Sequence, residues 1–229
     1  MKPIVKIFQI ESNEKYIELS KIEQYEIKYL GNGFFISKNG YLASVAHVLY
    51  NNEVINSYIF YEDKLQKINI IERKFTEKNS NHIDAAIGKI DVNKDADFFN
   101  PSEFEDVTTG MKLFLLGYSR HLNNGIILND KESILKFKLQ KLNSFCININ
   151  FLNSNEHITM YNFFEFDLDN VNLCGMSGSP IINERNKILG IFKGGEINMS
   201  KIYCQAIHIK IIKNMFNKSP AGAHHPTSA

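Results

Sequence analysis

The most informative part of the chain is residues 31–48, which read GNGFFISKNGYLASVAHV. Two apolar runs of strand-forming residues, Gly33–Ser37 and Tyr41–Val45, flank the tripeptide Lys38-Asn39-Gly40. Asn-Gly is favoured in tight hairpin turns because both residues tolerate a positive φ. We therefore predict a β-hairpin whose second strand ends just before His47.

Short strand-like runs separated by turn residues extend along the rest of the chain. In the first half they predict strands at Val54–Tyr61, Ile68–Arg73 and Ile83–Ile90. In the second half they predict strands at Met111–Tyr118, Ile134–Leu139, Phe145–Phe151, His157–Phe166, Ser179–Asn183, Lys187–Phe192 and Lys201–Ala206. Many short strands at this spacing are typical of a β-barrel or β-sandwich.

A polar segment, Asp91 to Thr109, has no apolar periodicity and predicts a linker between two halves. The apolar residues of Ile207–Phe216 recur at helical spacing, which predicts a short terminal helix. We therefore divide the chain into units 1–105 and 106–217 and a tail, 218–229, which we expect to be disordered or foreign to the native protein.

Composition excludes several classes of function. The chain has 229 residues, 44% of them hydrophobic, and 26 basic against 25 acidic residues. A formal net charge of +1 leaves no electrostatic signal for binding nucleic acid or an anionic membrane. The residues also show no zinc motif or phosphate-binding loop, so we predict no metal and no cofactor.

The three cysteines, Cys146, Cys174 and Cys204, are an odd and sparse set. Such a set favours reduced thiols over a secreted disulfide framework, although a Cys174–Cys204 bridge stays open. We read neither a signal peptide at the N-terminus nor an apolar run long enough to span a bilayer. The expected location is the cytoplasm.

Residues 175–180, Gly-Met-Ser-Gly-Ser-Pro, hold the candidate nucleophile. Glycines at 175 and 178 allow a sharply bent backbone around Ser177, and Gly175 can present its N–H beside that of Ser177. A serine hydroxyl needs an imidazole to accept its proton and a carboxylate to orient that imidazole. His47 and Asp84, each at the end of an apolar strand, are the candidates. Taken singly, the serine segment could equally be an ordinary turn, and the histidine and the aspartate are more often a structural residue and a surface turn residue.

Together, these segments resemble the trypsin-like peptidases, in particular the bacterial HtrA-type branch and the glutamyl endopeptidases. The resemblance is carried by Gly31–His47, Asp84–Ala86 and Gly175–Pro180, in the family's order of His, Asp and Ser. It implies an all-β fold of two six-stranded antiparallel β-barrels, chymotrypsin-like, with a short C-terminal helix. We expect no PDZ domain.

The resemblance also implies roles for single residues. Ser177 would be the nucleophile, His47 the base and Asp84 its orienter, with the oxyanion hole formed by the N–H groups of Gly175 and Ser177. The substrate main chain would pair as an added strand along Gly194 and Gly195. The primary pocket would involve Asn172, Cys174, Phe192 and Lys193.

Pocket preference stays open at this point. Phe192 stands where glutamyl endopeptidases carry a glutamate-binding histidine, which argues against that specificity. Lys193 could attract an acidic side chain, Asp169 could favour a basic one, and an apolar pocket is equally credible. Met176 stands where trypsins carry the aspartate that pairs with a freed N-terminus, so we expect no activation by that ion pair.

The function predicted from the sequence is a regulated serine endopeptidase that cleaves protein or peptide substrates through an acyl-enzyme. A regulatory partner or a further domain would restrain it. The alternative is a protease-fold module that binds peptides or a partner with little turnover.

Overall fold

The computed structural model describes residues 3–75, 83–100, 103, 105–119, 127–128, 137, 139–153, 158–164, 173–198 and 201–218. The first eight strands are β1 (Ile4–Glu11), β2 (Tyr16–Glu18), β3 (Ile27–Phe35), β4 (Tyr41–Ser44), β5 (Ile55–Tyr61), β6 (Lys64–Lys67), β7 (Asn69–Phe75) and β8 (Asp84–Lys89). The others are β9 (Lys112–Tyr118), β10 (Ile127–Leu128), β11 (Leu139–Asn153), β12 (Ile158–Phe164), β13 (Pro180–Ile182), β14 (Ile188–Asn198) and β15 (Lys201–His208). A 3-10 helix covers Leu19–Gln24, and the α-helix α1 covers Ile209–Lys218.

The strands form two sheets. The first is ordered β2-β6-β5-β1-β3-β4-β8-β7, with β10 also paired to β3. The second is a closed barrel, β11-β12-β15-β14-β13-β9. The predicted all-β architecture with a short C-terminal helix is therefore confirmed. The described part of the first sheet has nine strands and not six, because short strands such as β2 and β10 add to it.

The predicted hairpin forms as expected between β3 and β4, where Phe34 pairs with Ala43. Gly40 supplies the positive φ of the turn, at 82°, and a Cβ there would lie 2.4 Å from the Ile90 carbonyl oxygen. A residue with a side chain would therefore be strained at this position for two reasons, conformation and contact.

Sequence patterns missed or misplaced some elements. Strand β1 was not predicted, yet it lies between β3 and β5 in the first sheet. The terminal helix begins at Ile209, two residues after the predicted start, because Ile207 pairs with Met160 and Ile191 inside β15. Most of the predicted strand at 134–139 lies outside the described residues, as do the tail residues 219–229.

The polar segment between the halves is ordered where it is described. The backbone N–H of Phe99 donates to Phe35 O at 2.9 Å, and Val107 is buried in the core of the second barrel. Glu105 forms an ion pair with Arg185. These contacts fasten the predicted linker to both sheets. The division into units 1–105 and 106–217 stays a prediction.

Apolar packing joins the helix to the first sheet. The largest core cluster contains residues of β1, β3, β4 and β8 together with five residues of α1: Ile209, Ile211, Ile212, Met215 and Phe216. The Phe216 ring meets Tyr41 edge-on, with ring centroids 5.4 Å apart. Burial of this apolar face, not helix propensity, stabilises a helix of only ten residues.

Cys174 and Cys204 are both free thiols, so the bridge left open by the sequence does not form. Cys174 is exposed, whereas Cys204 is buried in the second barrel, where burial raises the pKa of its thiol to about 12. None of the described helices is long and apolar enough to cross a membrane.

Candidate active site

His47 and Asp84 meet because they lie at matching ends of two paired strands. Ser44, the last residue of β4, pairs with Ala86 of β8, so a residue just after β4 faces one at the start of β8. The His47 ring Nδ1 lies 2.6 Å from Asp84 Oδ2, and the His47 backbone N–H donates to Asp84 Oδ1 at 2.9 Å. The carboxylate therefore holds both the ring and the backbone of the histidine.

The Asp84 carboxylate is ionised although its side chain is only 2% exposed. Burial alone would raise its pKa, but the hydrogen bonds and charge of His47, helped by the charge of Lys193, outweigh burial and lower the pKa. The His47 side chain is 39% exposed. This pair thus presents an oriented imidazole to solvent over a buried anion.

Arg73, a residue that sequence analysis did not single out, binds the turn that carries His47. Its Nε donates to Ala46 O at 2.9 Å and to Leu49 O at 3.1 Å, on either side of the histidine. Within the turn, the N–H groups of residues 48 and 49 both donate to Val45 O at 3.1 Å. The backbone around the imidazole is therefore fixed by side-chain and main-chain bonds.

The loop of residues 173–179 places Ser177 against the first sheet. Its carbonyl oxygen accepts the N–H of Asn32 at 2.7 Å, and a Cβ on Gly31 would lie 2.5 Å from that oxygen. Gly175 and Gly178 have φ of 80° and 83°, as their predicted bent backbone requires. A Cβ on Gly178 would lie 1.9 Å from Asn32 O, so only glycine fits there without displacement.

Lys193 adjoins both parts of the site. The Ser177 hydroxyl donates to Lys193 O at 3.1 Å, and it makes no hydrogen bond to His47 among the described residues. The positive charge of Lys193 contributes to lowering the pKa of Asp84. The lysine charge therefore acts on the His47–Asp84 pair, beside the loop that carries the serine.

The backbone N–H groups of Gly175 and Ser177 have no acceptor in the part of the chain that the structure describes. The neighbouring N–H groups are occupied: that of Met176 donates to Leu173 O at 3.0 Å and that of Gly178 to Phe192 O at 2.8 Å. Two unoccupied donors beside a serine hydroxyl can stabilise a negative charge that develops on a bound carbonyl oxygen.

The residues predicted to bind substrate fall into three groups. Gly194 and Gly195 lie on β14 beyond its pairing with β13, and a Cβ on Gly194 would meet nothing within 4 Å. Phe192 is 1% exposed and packs with Met176 in the core of the second barrel, so it can serve only as a buried wall. Cys174 is exposed beside Gly175, whereas Asn172 and Asp169 lie outside the described residues.

Within the described residues, no group of three or more His, Cys, Asp or Glu side chains is arranged to hold a metal ion. His208 is buried, and its Nδ1 accepts the backbone N–H of Lys210 at 2.9 Å at the start of α1. It therefore has a structural role at the junction of β15 and α1. His82, His121 and His157 lie outside the described residues.

A second residue of this site that sequence reasoning missed is Asn32. It is completely buried, and its side chain and backbone bond to three segments distant in sequence. The available signal was an amide side chain between two glycines at the start of an apolar strand.

Comparisons with known proteins place this site in a family. The sequence matches the family described as "Trypsin-like peptidase domain" over residues 31–191. That match covers most of the chain and includes His47, Asp84 and Ser177, and it ends just before Phe192. The chain belongs to the trypsin-like peptidase family, and the chymotrypsin-like fold expected from the resemblance is confirmed.

Solved structures share the fold at low sequence identity. The protease domain of MamO from Magnetospirillum magneticum, in its apo form, is 12% identical with a TM-score of 0.56, covering 93% of this chain and 95% of that one. An inactive form of the Rv3671c protease is 16% identical with a TM-score of 0.55, covering 96% and 89%. The HtrA-type protease AlgW with a decapeptide is 12% identical with a TM-score of 0.59, covering 94% and 63%. A comparison with curated protein sequences gave no match.

Proposed function

We propose that this protein is a serine endopeptidase that hydrolyses peptide bonds through an acyl-enzyme on Ser177. The observation that carries the proposal is the two-point bond between Asp84 and His47, next to a serine loop with two N–H donors that have no acceptor in the described part of the chain. The same three side-chain types in a trypsin-like peptidase domain support this reading.

The chemistry follows from the charges and donors of these groups. The Ser177 hydroxyl exchanges its bond to Lys193 O for one to His47 Nε2, which takes the proton as the oxygen attacks the scissile carbonyl. Buried, ionised Asp84 stabilises the resulting imidazolium. The N–H groups of Gly175 and Ser177 bind the oxyanion, and His47 then protonates the leaving amine.

A water molecule completes the cycle. His47 takes one of its protons as the water oxygen attacks the acyl carbonyl, and the proton returns to Ser177 when the ester bond breaks. The substrate main chain pairs along the edge of β14 at Gly194 and Gly195. We propose that a protein partner or an ordering step controls this activity, since the Ser177 hydroxyl donates to Lys193 O and must turn to His47 before it can react.

Reaction with a fluorophosphonate probe, followed by peptide mapping, tests the proposal. We expect a single label on Ser177 in the wild-type protein and no label in Ser177→Ala or His47→Ala. Cys174→Ala is the matched control, because it removes an exposed nucleophile three residues away without touching the proposed mechanism. Absence of label on wild-type Ser177, with and without added peptide, would contradict the proposal that the protein is a serine endopeptidase.

One observation favours a second candidate, a protease-fold module that binds peptides with little turnover. It is the Ser177 hydroxyl bonded to Lys193 O and not to His47. For such a module, the wild-type protein and Ser177→Ala would bind a peptide library equally well, and neither would release cleaved products.

A further inference from the structure

Asn32 bonds both to strand β9 and to the loop that carries Ser177. Its Nδ2 group donates to Gly175 O at 2.8 Å and to Tyr118 O at 2.9 Å, and its Oδ1 accepts the Tyr118 N–H at 2.9 Å. The residue is completely buried. Every polar atom of this amide side chain is therefore satisfied by backbone that lies 86 or 143 residues away.

The backbone of Asn32 holds the same loop at a second point. Its N–H donates to Ser177 O at 2.7 Å, while its own carbonyl accepts the Ser44 hydroxyl at 2.6 Å. One residue of the first sheet therefore binds the carbonyl oxygens of both Gly175 and Ser177, the two residues whose N–H groups lack an acceptor among the described residues.

Tyr29, also on β3, provides a second donor. It pairs with Phe8 of β1, whereas Asn32 pairs with Lys6, and a register shift lies between the two pairs. Its hydroxyl lies 3.0 Å from Gly175 O and 2.7 Å from Tyr118 O. Its ring is buried against Phe137 and Phe8, with ring centroids 4.4 Å and 5.9 Å away. Burial raises the pKa of this phenol well above its usual range, so the hydroxyl keeps its proton and stays a donor.

These bonds fix the direction of two peptide groups. In a trans peptide the C=O and N–H point in opposite directions. With Gly175 O held by Asn32 and Tyr29, the N–H of Met176 points to Leu173 O, 3.0 Å away. In the next peptide, Met176 O accepts the N–H of Ser179 at 3.0 Å, which turns the Ser177 N–H the other way.

We propose that Asn32, assisted by Tyr29, is a positioning residue that keeps the oxyanion hole open, an inference that rests on the proposed peptidase function. Rotation of the Gly175–Met176 peptide would take Gly175 O away from both donors. The Tyr29 hydroxyl would keep Tyr118 O at 2.7 Å, but one hydrogen of the buried Asn32 Nδ2 would lose its acceptor. Buried donors without acceptors are costly, so the Gly175–Met176 peptide keeps this orientation and fixes the position of the next peptide, Met176–Ser177, whose N–H is one of the two proposed oxyanion donors.

Asn32→Ala tests this role because it deletes the amide but keeps the backbone N–H to Ser177 O. We expect the limiting rate of Ser177 reaction with a fluorophosphonate probe to fall at least about tenfold, while the concentration giving half that rate changes little. Tyr29→Phe removes a single hydroxyl without changing the packing and should lower the same rate by a smaller factor. It keeps the test decisive if Asn32→Ala does not fold.

Asn56→Ala is the matched control. Asn56 is also buried, and its Nδ2 also bonds to two acceptors, Ser12 O at 2.7 Å and Asn13 Oδ1 at 3.0 Å, but these belong to the segment after β1. We expect its reaction rate to match the wild type. A wild-type rate in both Asn32→Ala and Tyr29→Phe, or an equal loss in Asn56→Ala, would overturn the inference.

Amide hydrogen exchange separates this inference from the proposed function. We expect Asn32→Ala to increase exchange in peptides covering residues 173–180 and to leave β5 unchanged, whether or not the protein reacts with the probe. Absence of label on Ser177 in the wild-type protein would overturn the proposed peptidase function. Unchanged exchange in residues 173–180 would overturn the positioning role even in an active protease.

Discussion

Asp84 binds His47 at two atoms, the backbone nitrogen at 2.9 Å and the ring Nδ1 at 2.6 Å. The first bond fixes the turn and the second fixes the ring, so the carboxylate determines both the position of the imidazole and its tautomer. A neutral amide of the same shape cannot stabilise an imidazolium. Two separate consequences follow, one for the reaction and one for stability in acid.

Asp84→Asn should slow the reaction of Ser177 with a fluorophosphonate by about 10⁴-fold, the loss measured for the equivalent change in a serine protease. The rate constant for labelling, measured by mass spectrometry, checks this. Asp91→Asn is a control, because it removes an exposed carboxylate 2.6 Å from Lys15. A loss of similar size in that variant would mean that the effect is not specific to the pair.

The lowered pKa of Asp84 also predicts how its contribution to stability depends on pH. Because the pKa is lower in the folded state, the carboxylate stabilises the fold above its unfolded pKa of about 3.9, and this stabilisation is lost as pH falls through the folded value. The difference in unfolding free energy between wild type and Asp84→Asn should therefore shrink from pH 7 to pH 3. A difference that grows in acid would contradict the assignment.

His208 also makes stability fall in acid, but through a buried imidazole that stays neutral. Burial, and to a smaller extent the charge of Lys210, lowers its pKa from 6.5 to about 4. The unfolded state therefore binds more protons between these values, and stability falls as pH decreases from about 6.5 toward 4. From pH 7.5 to 5 we expect a loss of about 2 kcal/mol from this group.

His208→Asn isolates this effect. Asparagine is a favourable residue at a helix N-terminus, and its side-chain oxygen can accept the Lys210 N–H that His208 Nδ1 now accepts at 2.9 Å. Urea unfolding of the variant should show a weaker dependence on pH between 7.5 and 5 than the wild type. An identical dependence would place the titrating group elsewhere.

The sequence predicted the parts of the fold that depend on neighbouring residues. The β3–β4 hairpin followed from the Asn39-Gly40 step, and the strand that begins with Asp84 followed from its apolar run. It did not predict β1, because an isolated apolar run does not reveal which strands it will pair with. The apolar spacing also assigned Ile207 to the helix. At a strand–helix junction the same apolar residues can fit both the alternation of a strand and the spacing of a helix.

The residues of the candidate site also fall into those that a local motif predicts and those that it does not. Ser177, His47 and Asp84 were found because each lies in a short local motif, and their assignment as a catalytic set stays a proposal. Asn32 was not found, because its importance lies in hydrogen bonds to Tyr118 and Gly175, 86 and 143 residues away. Long-range backbone partners of a single amide leave no periodic or local mark in a sequence.

Two completely buried serines beside Asn32 offer a matched test of hydrogen bonding. Ser44 Oγ donates to Asn32 O at 2.6 Å, whereas Ser179 Oγ has no hydrogen-bond partner among the described residues. Ser44→Ala should destabilise the protein by about 1–2 kcal/mol, because it leaves a buried carbonyl without that donor.

Ser179→Ala should instead be neutral or stabilising, because the hydroxyl that it removes is already buried without a partner. Urea unfolding midpoints of the two variants, measured in parallel, test the contrast. A larger loss of stability in Ser179→Ala than in Ser44→Ala would show that the Ser179 hydroxyl is bonded in solution.

Gly178 is the position of the serine loop that should tolerate substitution least. Its φ of 83° costs a residue with a side chain about 1–3 kcal/mol, and the added Cβ would lie 1.9 Å from Asn32 O and 2.3 Å from Ser44 Oγ. Because Asn32 O belongs to the backbone of β3, relief requires the loop to move away from the first sheet. Gly178→Ala should therefore lower both the unfolding free energy and the rate of Ser177 labelling.

Gly194→Ala, where a Cβ meets nothing within 4 Å, is the control and should unfold like the wild type. Equal stability of the two alanine variants would mean that the serine loop does not press on β3 as closely as these distances require.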